Sequence, residues 1–350
     1  MMDTKNMEAH KIADMILAEA VSIAASDIYI LPAEHSCAVR ARAGGRQVDI
    51  CELPSDKGLQ CISRIKVMAG LLTYRSQVSQ DGVIVDESLF PGVEFRVSVM
   101  PSIFGERTTV RVLDKTRIPL YLEELNFTPE ILAALKTMLS KNSGMIVLTG
   151  PTGCGKTTTI YAMIRELIRN NQDPSSIISI EDPVESIIEG ITQVSLSKMS
   201  DEWNYERALR AALRQDVRTI VIGEMRDKDV VKVALDAALT GHRVITTFHA
   251  GDIPSVYARI LHQGFEPFLA ASAITGILSQ RLVPSADGNS QIPLAALLEP
   301  DDEWRNFIIG NPGLAELRKK ISSYSRADLP QIAEKMAEQG IISKKDAYLI

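Results

Sequence analysis

The run Gly150-Pro151-Thr152-Gly153-Cys154-Gly155-Lys156-Thr157, followed by Thr158, fits the spacing G-x-x-x-x-G-K-[ST] in full. Its chemistry is the gripping of a phosphate. Glycines leave backbone N–H groups free to turn inward on an anion, and a helix starting near Lys156 adds the positive end of its dipole. Lys156 is then placed to reach the β- and γ-phosphates of ATP, and the Thr157 hydroxyl to hold Mg²⁺. Cys154 lies among those N–H donors, a setting that favours the thiolate and predicts a reactive thiol.

A triphosphate held this way is hydrolysed only if water is aimed at it, and carboxylates serve that purpose. Four short apolar runs, 145–149, 177–180, 219–222 and 244–247, end at residues of suitable type. The first leads into the glycine-rich run. Glu181, Asp182 and Glu185 follow the second, Glu224 the third and His249 the fourth. In open α/β sheets, ligands sit beyond the carboxyl ends of the strands. Acids on adjacent strand ends can complete an Mg²⁺ shell, Glu224 with Glu181 or Asp182, or take a proton from the attacking water. His249 reads either as a γ-phosphate sensor or as a structural imidazole, and His242 as a weaker candidate of the same kind. Arg96, Arg107 and Arg111 lie earlier, on the polar faces of alternating runs. They read either as a solvated sheet face or as arginine fingers offered to a nucleotide held elsewhere.

The elements that must position these groups differ between the two halves of the chain. Ile12, Ile16, Ala20 and Ile23 recur at near-helical spacing, and strand-like pieces follow at 27–31, 38–42 and 47–50. A helix is expected from Pro54 to about Gly70, with proline in its first turn. Val93, Phe95, Val97 and Val99, then Thr108, Val110 and Val112, alternate with polar residues, the mark of half-buried antiparallel strands. Beyond residue 130 the apolar runs are continuous, which implies strands buried on both faces of a parallel sheet covered by helices. Ile160, Met163, Ile164, Leu167 and Ile168 form the stripe of one such helix, and 230–239 is apolar nearly all round. The expected organisation is an N-terminal α+β domain over 1–115, a linker over 116–130, a phosphate-loop α/β core over 131–283 and a C-terminal helical part over 284–350.

Composition narrows the class. With 350 residues the chain exceeds one comfortable core, and 45% hydrophobic against 23% charged residues excludes a disordered or collagenous chain. Lys+Arg 38 against Asp+Glu 44 gives a net charge of −6, which argues against a dedicated DNA-binding module. Apolar runs fall short of the roughly 18–20 residues that span a bilayer. No N-terminal segment reads as a secretory signal. The expectation is a soluble, unexported protein. Cys37, Cys51, Cys61 and Cys154 include no C-x-x-C pair, so no zinc is expected.

The order of 150–157, the acidic box Ile180-Glu181-Asp182-Pro183-Val184-Glu185, Val221-Ile222-Gly223-Glu224-Met225-Arg226-Asp227, and Thr240-Gly241-His242 followed by Thr246-Thr247-Phe248-His249 resembles the type II secretion and type IV pilus assembly ATPases. The likeness extends to Arg64–Gly70 (Arg-Ile-Lys-Val-Met-Ala-Gly), Gln80-Asp81-Gly82, Gly105-Glu106-Arg107 and Arg111-Val112-Leu113-Asp114-Lys115. The resemblance implies a RecA-like ATPase domain behind a PAS-like N-terminal domain. It implies a homohexameric, ATP- and Mg²⁺-dependent motor at the cytoplasmic face of the membrane, acting on an inner-membrane platform protein without binding nucleic acid. By the same resemblance Glu224 is the Walker B acid, Glu185 the catalytic acid of the acidic box and His249 the histidine-box residue, with Arg96, Arg107 and Arg111 reaching a nucleotide at a domain or subunit boundary. The chain departs from the family at Tyr29, usually His, at Val217-Arg218, usually Pro-Asp, and at Ala250-Gly251-Asp252, usually a Thr-Asn-Asp-like run. It also lacks a tetracysteine module after Gln280-Arg281-Leu282. It is therefore most similar to the competence-pseudopilus variant, with retraction motors also zinc-free. Three other readings stay open: a pilus retraction motor, a nucleotide-dependent scaffold of the same machine with negligible turnover, and a DNA-translocating relative that shares the phosphate loop.

Overall fold

The computed structural model of the chain describes residues 7–114, 121–198, 203–287 and 290–349. It divides into two compact units, Met1–Ile118 and, beyond it, Pro119–Asp287 with Gln291–Ile350. In the first unit α1 (Ala9–Ser22), β1 (Ala25–Pro32), β2 (Ser36–Ala43), β3 (Arg46–Pro54), α2 (Ser55–Met68), β4 (Gln80–Val85), β5 (Val93–Ser102) and β6 (Gly105–Asp114) follow in chain order. The strands pair antiparallel in the order β3-β2-β1-β6-β5-β4. The alternation along β5 and β6 sets the faces of this sheet. Phe95, Val97, Val99 and Val110 share one core with Ile12 and Ile16 of α1 and Ile62 and Ile65 of α2. Pro54, expected in the first turn of α2, ends β3 instead. Its backbone is extended and pairs with Ser36, because the proline φ suits a strand end as well as a helix start.

The second unit runs α3 (Pro129–Ser140), β7 (Gly144–Thr149), α4 (Lys156–Arg169), β8 (Ile177–Glu181), β9 (Thr192–Ser195), α5 (Tyr205–Ala212), β10 (Thr219–Met225), α6 (Lys228–Leu239), β11 (Arg243–Phe248), α7 (Ile253–His262), α8 (Pro267–Ala273), β12 (Ile274–Pro284), β13 (Gln291–Leu298), α9 (Asp302–Ile309), α10 (Leu314–Ile321), α11 (Leu329–Glu338) and α12 (Lys344–Tyr348). Its sheet has seven strands in the order β13-β12-β7-β11-β10-β8-β9. The pairings are parallel except for the β12–β13 edge. Continuous apolarity has the expected cause. Met145 and Val147 of β7 face a core with α6 and α7, while Ile146 and Leu148 face a second core with α3 and α4. Ile220 and Val221, and Val244 and Ile245, are divided the same way. Sequential β–α units of this kind leave the carboxyl ends of β7, β11, β10 and β8 side by side on one edge.

Two expectations need correction. The stretch after 284 does not pass from a loop straight into helices. Gln291–Leu298 is a strand that pairs antiparallel with β12, and four helices follow it. Its alanines and leucines carry weak strand preference, so the choice is made by the ready-made edge of β12 and by burial of Leu294, Ala296 and Leu298. Of the linker expected over 116–130, residues 116–120 lie outside the described residues. Leu122–Leu125 form a single 3₁₀ turn, and α3 starts at Pro129 behind a Thr128 cap.

One buried ion pair organises the first unit. Lys66 of α2 is wholly buried, and its Nζ donates to Glu106 Oε1 of β6 at 2.6 Å and to the Arg75 carbonyl at 3.2 Å. Removing one partner of such a pair leaves an uncompensated charge in the core. Glu106→Ala is therefore expected to lower unfolding stability by about 3–5 kcal/mol, while the double change Lys66→Met with Glu106→Leu restores most of it. Urea unfolding followed by circular dichroism measures both, and equal losses in the two variants would refute the account.

Candidate active site

The phosphate loop is shaped from beneath. Strand β7 is buried along its whole length and ends at Thr149, whose hydroxyl reaches across to the carbonyl oxygens of Ala250 at 2.5 Å and Phe248 at 3.1 Å. Gly150, Gly153 and Gly155 take φ values of 142°, 77° and 88°, a region that side chains disfavour. At Gly150 crowding adds to this, since a Cβ there would lie 2.2 Å from the Gln280 carbonyl oxygen. Gly155 is the residue before α4, so the free N–H groups of the helix start open onto the loop. Lys156 Nζ donates to the carbonyls of Gly150 and Pro151, each at 2.9 Å. Pro151, Thr152 and Gly153 are exposed, and Thr157 and Thr158 half-buried.

Sequence reasoning did not single out the residue that holds this loop. Gln280, buried on β12, donates from Nε2 to the Cys154 carbonyl at 2.5 Å and accepts from the Thr159 hydroxyl at 3.1 Å. It thereby ties the loop to α4. The available signal was a glutamine amid the buried run of β12, a polar group that must find partners when desolvated.

Glu224 owes its direction to an irregularity. Ile222 pairs with Thr246 and Met225 with Phe248, so two residues of β10 face one of β11. This bulge re-aims the strand end. Thr247 secures it through a 2.6 Å hydrogen bond to the Gly223 carbonyl. The Glu224 carboxylate receives His249 Nε2 on Oε2 at 2.6 Å and Arg226 Nη2 on Oε1. Desolvation pushes this carboxyl up, but hydrogen bonds and charge from Arg226 and His249 outweigh it and hold the group below the usual carboxylate range. Glu224 is thus ionised and already aimed at neutral pH. Both loops stop quickly, because Asp227 caps α6 and Asp252 caps α7. Arg259 adds a 2.7 Å bond to the His249 carbonyl.

The acidic loop departs from expectation at Glu181. Its carboxylate is buried and accepts from the hydroxyls of Tyr161 at 2.5 Å and Ser179 at 2.6 Å, and from Gln193 at 3.3 Å. Neutral donors surround the group, so Glu181 serves as an anchor rather than a catalytic or Mg²⁺-binding acid. Tyr161 of α4, which sequence reasoning also missed, passes the anchorage on. Its hydroxyl oxygen accepts from the backbone N–H of Glu185 at 3.1 Å and of Ser186 at 3.3 Å. Burial and the Glu181 carboxylate push the phenol up, so it stays a donor. Asp182 and Glu185 remain exposed beyond the strand end.

Other candidates lie elsewhere. His242 precedes β11, at the amino edge of the sheet, where its Nδ1 lies 3.2 Å from the Ala237 carbonyl. Parallel strands put the two ends of β11 on opposite edges, which removes His242 from the site. Val217 and Arg218 share that far edge, ahead of β10. Arg96, Arg107 and Arg111 belong to the first unit, on the sheet face away from its core. Arg96 and Arg111 are direct cross-strand neighbours. Two like charges so placed repel, and Glu94 at 3.2 Å from Arg96 and Asp27 at 3.2 Å from Arg111 offset them. Arg96 and Arg111, with Asp27, Asp81 and Ser98, line a cleft of about 490 Å³, and Arg107 lies outside its lining.

The donor set of the second unit fits a magnesium–triphosphate: turned-in amides, one lysine, one threonine hydroxyl and acids two and three strands away. Among the described residues no three His, Cys, Asp or Glu side chains are grouped to hold a metal ion by themselves. A cation here takes its ligands mainly from phosphate oxygens and water, as Mg²⁺ commonly does. The reactive Cys154 expected from its loop is corrected. The thiol is buried, and desolvation raises its pKa against the pull of Lys156 and Arg281. Iodoacetamide at pH 7.5 should therefore label Cys154 at least about tenfold more slowly in the native chain than in urea, read on its tryptic peptide. Equal rates would return the thiolate reading.

Residues 3–343 match the family model described as type II/IV secretion system protein. The type II secretion system protein HxcR of Pseudomonas aeruginosa is 38% identical over 295 residues, 84% of this chain and 61% of that protein. The type IV pilus assembly ATPase PilB of Myxococcus xanthus is 40% identical over 275 residues, 78% of this chain and 48% of that protein. The chain thus spans about half to three-fifths of the length of these curated relatives. Among solved structures, the ATPase DotB of Legionella pneumophila superposes with a TM-score of 0.79 at 25% identity, covering 99% of this chain and 97% of that one. The pilus retraction motor PilT with bound ADP superposes with a TM-score of 0.68 at 28% identity, covering 98% and 96%. The chain is a member of the type II/IV secretion system protein family.

Proposed function

We propose that this chain hydrolyses Mg²⁺·ATP and uses the energy to assemble a type IV pilus or a type II secretion-like pseudopilus. It works as a homohexamer on an inner-membrane platform protein, at the cytoplasmic face of the membrane, without contacting nucleic acid. The observation that carries this reading is the convergence of the phosphate loop, His249, Glu224 and the acidic loop on the adjoining ends of β7, β11, β10 and β8. The names of HxcR and PilB support the assembly role.

In this reading the loop amides and Lys156 hold the β- and γ-phosphates, and Lys156 exchanges its two loop carbonyls for phosphate oxygens. Bound Mg²⁺ supplies charge neutralisation at those oxygens, with Thr157 and Glu224 as its protein ligands and Asp182 within the same strand-end group. Water attacks the γ-phosphorus in line, the bond to the ADP oxygen breaks, and Glu185 takes the proton. His249 registers the γ-phosphate through its bond to Glu224. Purified protein should release phosphate steadily. Lys156→Ala should abolish nucleotide binding, and Glu224→Gln should keep binding while losing about a hundredfold or more in turnover. A parent chain without affinity for Mg²⁺·ATP would overturn the reading.

Arg96, Arg107 and Arg111 are the groups we assign to a nucleotide bound by a neighbouring copy. A finger supplied in trans is worth about 10³–10⁵ in rate. Arg111→Ala should bind nucleotide normally and hydrolyse slowly, and mixing it with Lys156→Ala should recover part of the activity. No recovery at any ratio would leave these arginines as a solvated face.

The full-length likeness to PilT favours one second reading, a retraction motor. Deletion in the cell separates the two: loss of filaments supports assembly, and accumulation of unretracted filaments supports retraction.

A further inference from the structure

Both oxygens of the Glu224 carboxylate are already bonded by side chains of the chain itself, the Arg226 guanidinium on Oε1 and the His249 imidazole on Oε2. Each oxygen keeps a further lone pair, but a dication and a guanidinium on the same carboxylate repel each other. A charged partner therefore competes with a metal for this group. The structure distinguishes the two side chains. His249 is a short side chain on a backbone pinned at both sides, its own carbonyl bonded to Arg259 and the Phe248 and Ala250 carbonyls to Thr149. Arg226 stands on a long flexible stem, its side chain 63% exposed beside a Glu224 side chain only 15% exposed. Its guanidinium also lies in the attractive field of Asp182. The arginine therefore stands on the carboxylate that a dication would use, and Asp182 offers it a second partner.

We propose that Arg226 is the resident counter-ion of Glu224, holding the position that Mg²⁺ takes when nucleotide binds, and that the cation displaces it. This rests on the nucleotide-hydrolysing reading above. Arg226 is then a positioning residue. It keeps Glu224 aimed while the site is empty, at the cost of competing with the metal. Thr247 and the bulge hold the backbone of Glu224 throughout, so the exchange moves one side chain and no strand.

The test titrates Mg²⁺ against binding of methylanthraniloyl-labelled AMP-PNP to the full chain, with EDTA as the metal-free reference. The exchange predicts that Arg226→Gln lowers the Mg²⁺ concentration at half-saturation by about two- to fivefold, the worth of one partly exposed ion pair. Binding in EDTA should stay as in the parent. In a Glu224→Gln background the same substitution should change nothing, because the competition needs the carboxylate. An unchanged Mg²⁺ requirement overturns the proposal, as does an equal change in both backgrounds. An increased requirement overturns it too, by making Arg226 a ligand of phosphate instead. If the parent binds no analogue at saturating Mg²⁺, the functional reading itself fails, a result distinct from each of these.

Discussion

Backbone that grips a phosphate carries no side chains of its own to hold it in shape, so it must be held from behind, and the second unit is built around that constraint. The loop from Gly150 to Gly155 rests on the Gln280 backbone so closely that no Cβ fits at Gly150. The same residue's amide bonds the Cys154 carbonyl and the Thr159 hydroxyl. Gln280 keeps its place because β12 is inserted beside β7 in a sheet buried on both faces. Each bond of this support lies away from water, where a polar group left unpaired is costly and a paired one is rigid. The open amides are affordable only because everything beneath them is closed.

The same logic extends across the strand ends. Tyr161 leaves the helix that follows the phosphate loop and bonds Glu181, then receives the N–H groups of Glu185 and Ser186. A movement of α4 is thus felt by the acidic loop through one phenol. Thr149 reaches the backbone after β11, Thr247 reaches the backbone of β10, and His249 reaches Glu224. Three neighbouring strands are cross-linked at the edge that carries the glycine-rich loop, and the intervening loops are cut short by aspartate caps on α6 and α7. Precision at the site comes from these ties rather than from the loops themselves.

The family departures fall into place against this geometry. Val217 and Arg218 stand at the amino edge of the sheet, where they neither face the phosphate loop nor touch its supports, and Val217 is buried in the core instead. Ala250, Gly251 and Asp252 keep the structural duties of the segment after His249. Their backbone accepts from Thr149 and Arg281, and the aspartate caps α7. A changed side chain costs little where only the main chain is used.

Much of the fold was legible because its signals are local. Continuous apolar runs marked the buried strands, period-two alternation marked β5 and β6, and the spacing of 150–157 located the phosphate loop, since each depends on residues a few positions apart. Glu224 and His249 were legible from strand ends alone. What was not legible depends on distant partners. The strand at Gln291–Leu298 has a composition that suits a helix, and only the edge of β12 decides otherwise. Glu181 and Glu224 read alike as acids after strands, yet neutral donors bury one while Arg226 and His249 hold the other closer to solvent. Cys154 sits in an amide-rich loop that favours a thiolate, and burial reverses that. The amino-acid sequence by itself determined that the four central strands of the second unit exist and which side chains follow them. Only the tertiary structure decided how each of those side chains is held, because burial and hydrogen bonding are set by residues that other strands, helices and loops bring alongside.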